Sequence, residues 1–211
     1  MLKLQNIKKQ FSAGKTVFAG VNQSFNQGEF IGLIGPNGSG KTTFLRLISV
    51  NSFPTEGEVT YNGTNIHKKP AHYLKDVGLV HDEENLPLHL SAVELMEWVL
   101  RKRNLWNGES QNKIEEIFNK LELGEDRYNQ IGTYSTGMKK KTQIAAAFII
   151  YPKVLILDEP LRGLDEATRK VIYEMLKKAK ERDTLILMAS HTIDRDSELL
   201  DKVIDFPLTA E

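Results

Sequence analysis

Across 211 residues, 28 basic side chains balance 28 acidic ones and 40% of positions are hydrophobic, which suits one domain with a sizeable core. Net neutrality argues against a chain drawn to duplex DNA or anionic lipid by long-range field, and the lack of cysteine excludes disulfides, thiolate metal sites and a cysteine nucleophile. Residues 1–11 lack the apolar block of a leader peptide, and the apolar runs 145–150 and 154–157 fall far short of the roughly 20 residues a bilayer-spanning helix needs.

Leu2, Leu4 and Ile7 with Phe11, then residues 17–25, alternate as two predicted strands, and residues 29–34 form a third that runs into a glycine-rich turn. That turn, Gly35-Pro36-Asn37-Gly38-Ser39-Gly40-Lys41-Thr42, fits G-x-x-x-x-G-K-[ST] and precedes a predicted helix over 42–50, the context a phosphate-binding loop requires. Its glycines let successive N–H groups face an anion at a helix N-terminus. Lys41 is then placed to reach β- and γ-phosphates, and Thr42 to reach Mg²⁺. Residues 57–61 read as a strand closed by the turn pair Asn62-Gly63, and 77–80 as another.

From Leu86 to Tyr134 the apolar spacing turns helical, with Val93, Met96, Trp98, Val99 and Leu100, then Ile114, Ile117, Phe118 and Leu121, and no strand between. This predicts an inserted helical segment. A helix then follows Ser135 as far as Ile150, strands occupy 154–157 and 184–189, and residues 165–181 make the helix between them, a βαβ pattern whose continuous apolar runs suit a parallel sheet covered on both faces.

Two carboxylates, Asp158 and Glu159, close the strand 154–157 at the edge where α/β sheets bind ligands. There Asp158 is suited to hold Mg²⁺ through water and Glu159 to polarise a water attacking a γ-phosphate; the alternative is a solvated Asp-Glu-Pro turn. Ser135 reads either as a helix N-cap or as part of an anion site at the same helix tip. His191, after strand 184–189, falls at the same sheet edge, where it is either a surface residue or a donor to phosphate or water.

The order of these segments is similar to that of one known family. The phosphate loop, helical insert, Ser135-Thr136-Gly137, apolar strand with Asp158-Glu159, Gly163-Leu164-Asp165 and His191 resemble the nucleotide-binding domain of ATP-binding cassette (ABC) proteins over essentially the whole chain. The resemblance implies an α/β P-loop NTPase of ABC type. It would be one domain over 1–211 with a mixed-sheet core, an N-terminal antiparallel β subdomain, and a helical subdomain inserted at about 86–136.

The resemblance further implies a homodimer, or pairing with another ABC domain, packed head to tail. ATP and Mg²⁺ would lie between Gly35, Pro36, Asn37, Gly38, Ser39, Gly40, Lys41, Thr42 and Thr43 of one copy and Ser135, Thr136 and Gly137 of the other, with Asp165 in the loop that crosses the interface. Lys41, Glu159 and His191 would be catalytic, and Thr42, Asp158 and Asp82 would be metal-side groups. Phe11 stands where the family stacks an aromatic on adenine, a strand-end core position being its alternative.

Three departures stand out: Asp82 holds the place of a Gln that touches Mg²⁺ and the attacking water, Thr136 and Met138 replace Gly and Gln in the signature, and Lys141 replaces Arg. The run His81-Asp82-Glu83-Glu84 reads alternatively as a solvated loop. A separate integral membrane subunit is the implied partner, docking around 82–103, with the chain peripheral on the cytoplasmic face and no nucleic acid involved. Trp98, Leu105 and Trp106 are candidates for that contact, although the helical pattern favours core packing for Trp98, and Trp106 beside Asn107-Gly108 is harder to place in a core. The alternatives are a soluble ABC ATPase acting on ribosomes or DNA, and a slow nucleotide-dependent binding module.

Overall fold

The computed structural model describes residues 1–11, 14–83, 85–191, 193, 195 and 197–208. In chain order its elements are β1 (Leu2–Gln10), β2 (Thr16–Phe25), β3 (Phe30–Ile34), α1 (Lys41–Ile48), β4 (Glu56–Tyr61), β5 (Thr64–Asn65), α2 (Pro70–Leu74), β6 (Val77–Val80), α3 (Ala92–Lys102), α4 (Ser110–Lys120), α5 (Thr136–Phe148), β7 (Val154–Asp158), α6 (Glu166–Glu181), β8 (Leu185–Ala189) and β9 (Lys202–Asp205), with 3₁₀ turns at Gly124–Tyr128 and Ile131–Thr133.

Alternating sequences and continuous apolar sequences go to different sheets. The alternating strands pair antiparallel in the order β2-β1-β4-β5, and Asn62 and Gly63 make the β4–β5 turn with φ of 49° and 79°, both positive as a primed hairpin turn requires. The apolar strands pair parallel in the order β6-β7-β8-β3-β9. The mixed character expected from the resemblance is thus divided between two sheets.

Strand β7 shows why its sequence is apolar throughout. Val154 and Ile156 pack with α1 residues Phe44 and Leu47 and the antiparallel sheet, while Leu155 and Leu157 pack with residues of α3, α5 and α6. Because successive side chains point to opposite faces, a strand between two cores has no solvent side. Burying each such Leu or Ile contributes about 1.5–3 kcal/mol. Gly78 of β6 meets the same demand in another way, since a Cβ there would lie 2.3 Å from the Ala147 carbonyl of α5.

The segment between β6 and α5 is helical, and its apolar face is continuous with the parallel-sheet core. Helix α3 begins at a capping box in which Glu94 N–H donates to Ser91 Oγ (3.2 Å) and Ser91 N–H donates to Glu94 Oε2 (2.7 Å), satisfying two otherwise orphaned donors. Arg103, beyond its C-terminus, donates to the carbonyls of Leu74 (2.7 Å), Lys75 (2.6 Å) and Val77 (3.2 Å), tying the insert to the start of β6.

The expectations for the two tryptophans are reversed. Val93, Met96 and Leu100 share the buried face of α3, and Trp98, off that face, is 54% exposed. After α3 the chain turns back, with Leu105 N–H bonded to Leu100 O (2.9 Å), so Trp106 is half-buried against the core with the Arg101 guanidinium 4.0 Å from its ring centroid. Leu105 remains exposed. Among the described residues no helix is long and apolar enough to cross a membrane.

Candidate functional site

Between β3 and α1 the backbone is committed to a curl. Gly40, the N-cap of α1, has φ of 106°, and a Cβ there would sit 2.7 Å from Val17 Cγ1, so both backbone and space select glycine. No side chain caps α1 and no acidic residue occupies its first turn, which leaves its free N–H groups and the positive end of its dipole for an anion. Lys41 is buried and donates to the carbonyls of Gly35 (2.7 Å) and Pro36 (3.0 Å). An ammonium has three donors, so one is left for a ligand. Ser39 Oγ is buried without a hydrogen-bond partner among the described residues.

The loop opens on a cavity of about 730 Å³ lined by residues 36–43 together with Phe11, Lys15, Thr16, Val17, Asp82, Asp158, Glu159, Arg162, His191 and Pro207. The pairing of β7 with β8 brings Asp158 opposite Ala189, and therefore brings Glu159 beside His191, which follows β8. The Thr42 hydroxyl lies beside the carboxylate of Asp158, whose pKa is raised by burial and, in the same direction, by the charges of Asp82 and Glu159.

Glu159 sits in the left-handed region at φ 47°, an uncommon conformation for a non-glycine residue, and its N–H donates to Ala189 O at 2.8 Å. His191 Nε2 lies 3.4 Å from Glu159 Oε1. That approach lacks hydrogen-bond geometry, and Oε1 is buried with no hydrogen-bond partner among the described residues. The pair is ionic only when the imidazole is protonated.

The strand after which Asp82 falls, β6, lies next to β7, so Asp82 reaches the same cavity. The loop that carries it is held at its backbone. Lys140 of α5 is fully buried and donates to His81 O (2.8 Å) and Asp82 O (3.0 Å), and Gln143 Nε2 donates to Glu83 O (3.2 Å). The side chain of Asp82 meets Arg162 Nη1 at 2.7 Å, an ionic contact without the alignment of a hydrogen bond, since Oδ1 has no hydrogen-bond partner among the described residues. A freely solvated loop does not describe His81–Glu83; Glu84 lies outside the described residues.

These groups fit a phosphate chain with Mg²⁺. The loop offers amide donors and an ammonium, and the orphaned oxygens of Ser39, Glu159 and Asp82 line one concavity. Among the described residues no three His, Asp or Glu side chains form a metal cage. The donor set is instead a hydroxyl and one or two carboxylates, the kind that takes Mg²⁺ together with substrate phosphates.

Other candidates lie elsewhere. Phe11 is 48% exposed at the cavity's edge, which overturns its core alternative. Ser135, Thr136, Gly137 and Asp165 do not line the cavity. Ser135 is an N-cap, its Oγ accepting from Met138 N–H at 3.2 Å. Asp165 caps α6 by accepting from Thr168 N–H (2.8 Å) and its hydroxyl (2.9 Å). A Cβ built on Gly137 would lie 3.6 Å from Gly163 O, so the signature and the loop 163–165 make one exposed patch away from the phosphate loop.

The ABC transporter family profile matches residues 18–162. The chain belongs to the ABC transporter family. This cassette is 34% identical over 203 residues to the linearmycin resistance ATP-binding protein LnrL of Bacillus subtilis (strain 168), covering 96% of this chain and 65% of that protein. It is 32% identical to the lantibiotic transport ATP-binding protein SrtF of Streptococcus pyogenes, over 95% of this chain and 84% of that one. It thus spans just under two thirds of LnrL, and 66% of the ABC transporter ATP-binding protein YhcH of Bacillus subtilis (strain 168). Among solved structures, a dimeric post-hydrolysis state of the ATP-binding cassette MJ0796 bound to ADP and Pi superposes with a TM-score of 0.85 at 29% identity, covering 98% of this chain and 94% of that one.

Reading the sequence of this cassette does not single out Lys15, Val17, Arg162 or the buried Lys140. Arg162 carried a signal, a cation three residues after Glu159 within the Asp-Glu-Pro turn region. Lys140 carried none, because a lysine on a helix is ordinarily solvated.

Proposed function

We propose that this cassette is the ATP-binding subunit of an ABC transporter, which binds and hydrolyses ATP between two head-to-tail cassettes and drives a separate membrane-spanning subunit from the cytoplasmic face. The observation that carries this reading is the single cavity where the phosphate loop, Asp158, Glu159 and His191 converge. In it, loop amides and Lys41 neutralise and orient the phosphates, Thr42 and Asp158 hold Mg²⁺, and Glu159 takes the proton of a water positioned with help from His191. Mg²⁺, when bound, offsets charge on the terminal phosphates. Phe11 is the adenine platform at the cavity's edge.

The patch of Ser135, Thr136 and Gly137 serves the nucleotide of the second copy, and Asp165 fixes the loop that crosses to it. One domain over 1–211, with the helical insert at about 86–136, carries both halves. Relatives named for linearmycin resistance, lantibiotic transport and bacitracin transport support export as the direction. The membrane subunit would seat in the groove of about 410 Å³ between β6 and α3, beside the exposed Trp98 and the anchored Arg103. Replacing Glu159 by Gln tests the chemistry. ATP turnover is expected to fall by about 10²-fold or more with ATP binding retained, and unchanged turnover would assign the proton acceptor elsewhere.

A further inference from the structure

Three carboxylates, Asp82, Asp158 and Glu159, line one cavity, and a nucleoside triphosphate brings several more negative charges to it. Left alone, that arrangement repels its own substrate. Asp82 is not left alone, because Arg162, 80 positions away in sequence, places Nη1 2.7 Å from its Oδ1 and Nη2 3.4 Å from its carbonyl oxygen.

The Asp82 backbone is independently fixed by Lys140 at 3.0 Å, so the carboxylate stays at the cavity and cannot relieve the repulsion by swinging away with its loop. Arg162 also lines the cavity itself, and its guanidinium has five donors, more than one carboxylate and one carbonyl consume.

From this arrangement we infer that Arg162 is the countercharge that makes an acid tolerable at position 82, and that the Asp82–Arg162 pair sets how strongly the site prefers a triphosphate over a diphosphate. Arg162 cancels Asp82 at the end of the cavity where Asp158 and Glu159 sit, next to the terminal phosphate. The inference rests on the nucleotide reading above, and the experiment separates the two.

Binding of ribose-labelled fluorescent ATP and ADP analogues to the full chain is measured in EDTA, where any part Asp82 plays as a metal ligand is silent, at low and at high salt. Arg162→Ala is expected to weaken the ATP analogue about tenfold and the ADP analogue less, and the gap should close at high salt as screening takes over. Arg162→Lys keeps most of the affinity. The double variant Asp82→Asn/Arg162→Ala recovers to within about threefold of the parent, because removing both charges removes the repulsion. The Arg162 side chain is 59% exposed, so these variants fold, and an unchanged thermal midpoint checks it. A double variant as weak as Arg162→Ala, or an Arg162→Ala variant that binds like the parent, overturns the inference. A parent chain that binds neither analogue, in EDTA or with Mg²⁺ added, removes the nucleotide reading itself and the inference with it.

Discussion

The N-termini of α1, after the phosphate loop, and of α5, after Tyr134, each carry a glycine, and they are built in opposite ways. The α1 tip has no side-chain cap, a glycine at φ 106° and a lysine folded under it, and the phosphate loop, Asp158, Glu159 and His191 converge there from the same chain. The α5 tip is capped by its own Ser135, is exposed, and would give a Cβ on Gly137 only ordinary van der Waals contact, 3.6 Å from Gly163 O. Intramolecular packing accounts for the glycine in the first case and not in the second, a difference that fits the proposal that the second surface meets another copy.

Substituting the two glycines sharpens that contrast most. Gly40→Ala is expected to cost at least about 1–2 kcal/mol of unfolding free energy and to abolish nucleotide binding, as read by urea denaturation and by fluorescence titration. Gly137→Ala should do the reverse to the fold. It replaces a helical glycine at an unstrained position and gains up to about 1 kcal/mol, leaves ATP binding to the single chain intact, and lowers hydrolysis at least about tenfold by intruding on the partner's nucleotide. If Gly137→Ala destabilises the chain and leaves hydrolysis untouched, the two tips are not different in the way described.

Asp158 gives the smallest effect and probes the α1 side alone. Its pKa is raised chiefly by burial, so the folded state binds this proton more readily than the unfolded chain and the charged form works against folding at neutral pH. That penalty is present above the raised value and disappears as pH falls through it. Asp158→Asn is therefore expected to raise the thermal midpoint at pH 7, with less gain in acid, while weakening Mg²⁺-dependent nucleotide binding. In the parent, protons should compete with Mg²⁺ at a pH above the ordinary Asp range. A midpoint that drops on Asp158→Asn would contradict the assignment of burial as the cause.

How much of this was legible in sequence depends on how local the cause is. The loop Gly35–Thr42, the apolar β7 and the turn Asn62-Gly63 follow from residues within a few positions of one another, and each is where the pattern places it. Strand β9 escaped because Val203 and Ile204 are its only apolar residues; it exists because β3 offers a parallel edge. Trp98 and Trp106 were exchanged because the apolar pattern of α3 is wide enough to include a residue just off its buried face, and because the reversal at Leu105 depends on a backbone bond no periodicity encodes. Lys140 and the Asp82–Arg162 pair are contacts across 58 to 80 positions, set by strand order, and local reading has no access to them.

The central claim is that the α5 tip of one copy completes the cavity of another. Light-scattering mass of the Glu159→Gln chain, with and without ATP, tests it most directly. The account predicts a monomer without nucleotide, a dimer with ATP, and loss of that dimer when Ser135 is also replaced by Arg. A monomer at every ATP concentration, or a dimer indifferent to both ATP and Ser135, would contradict it.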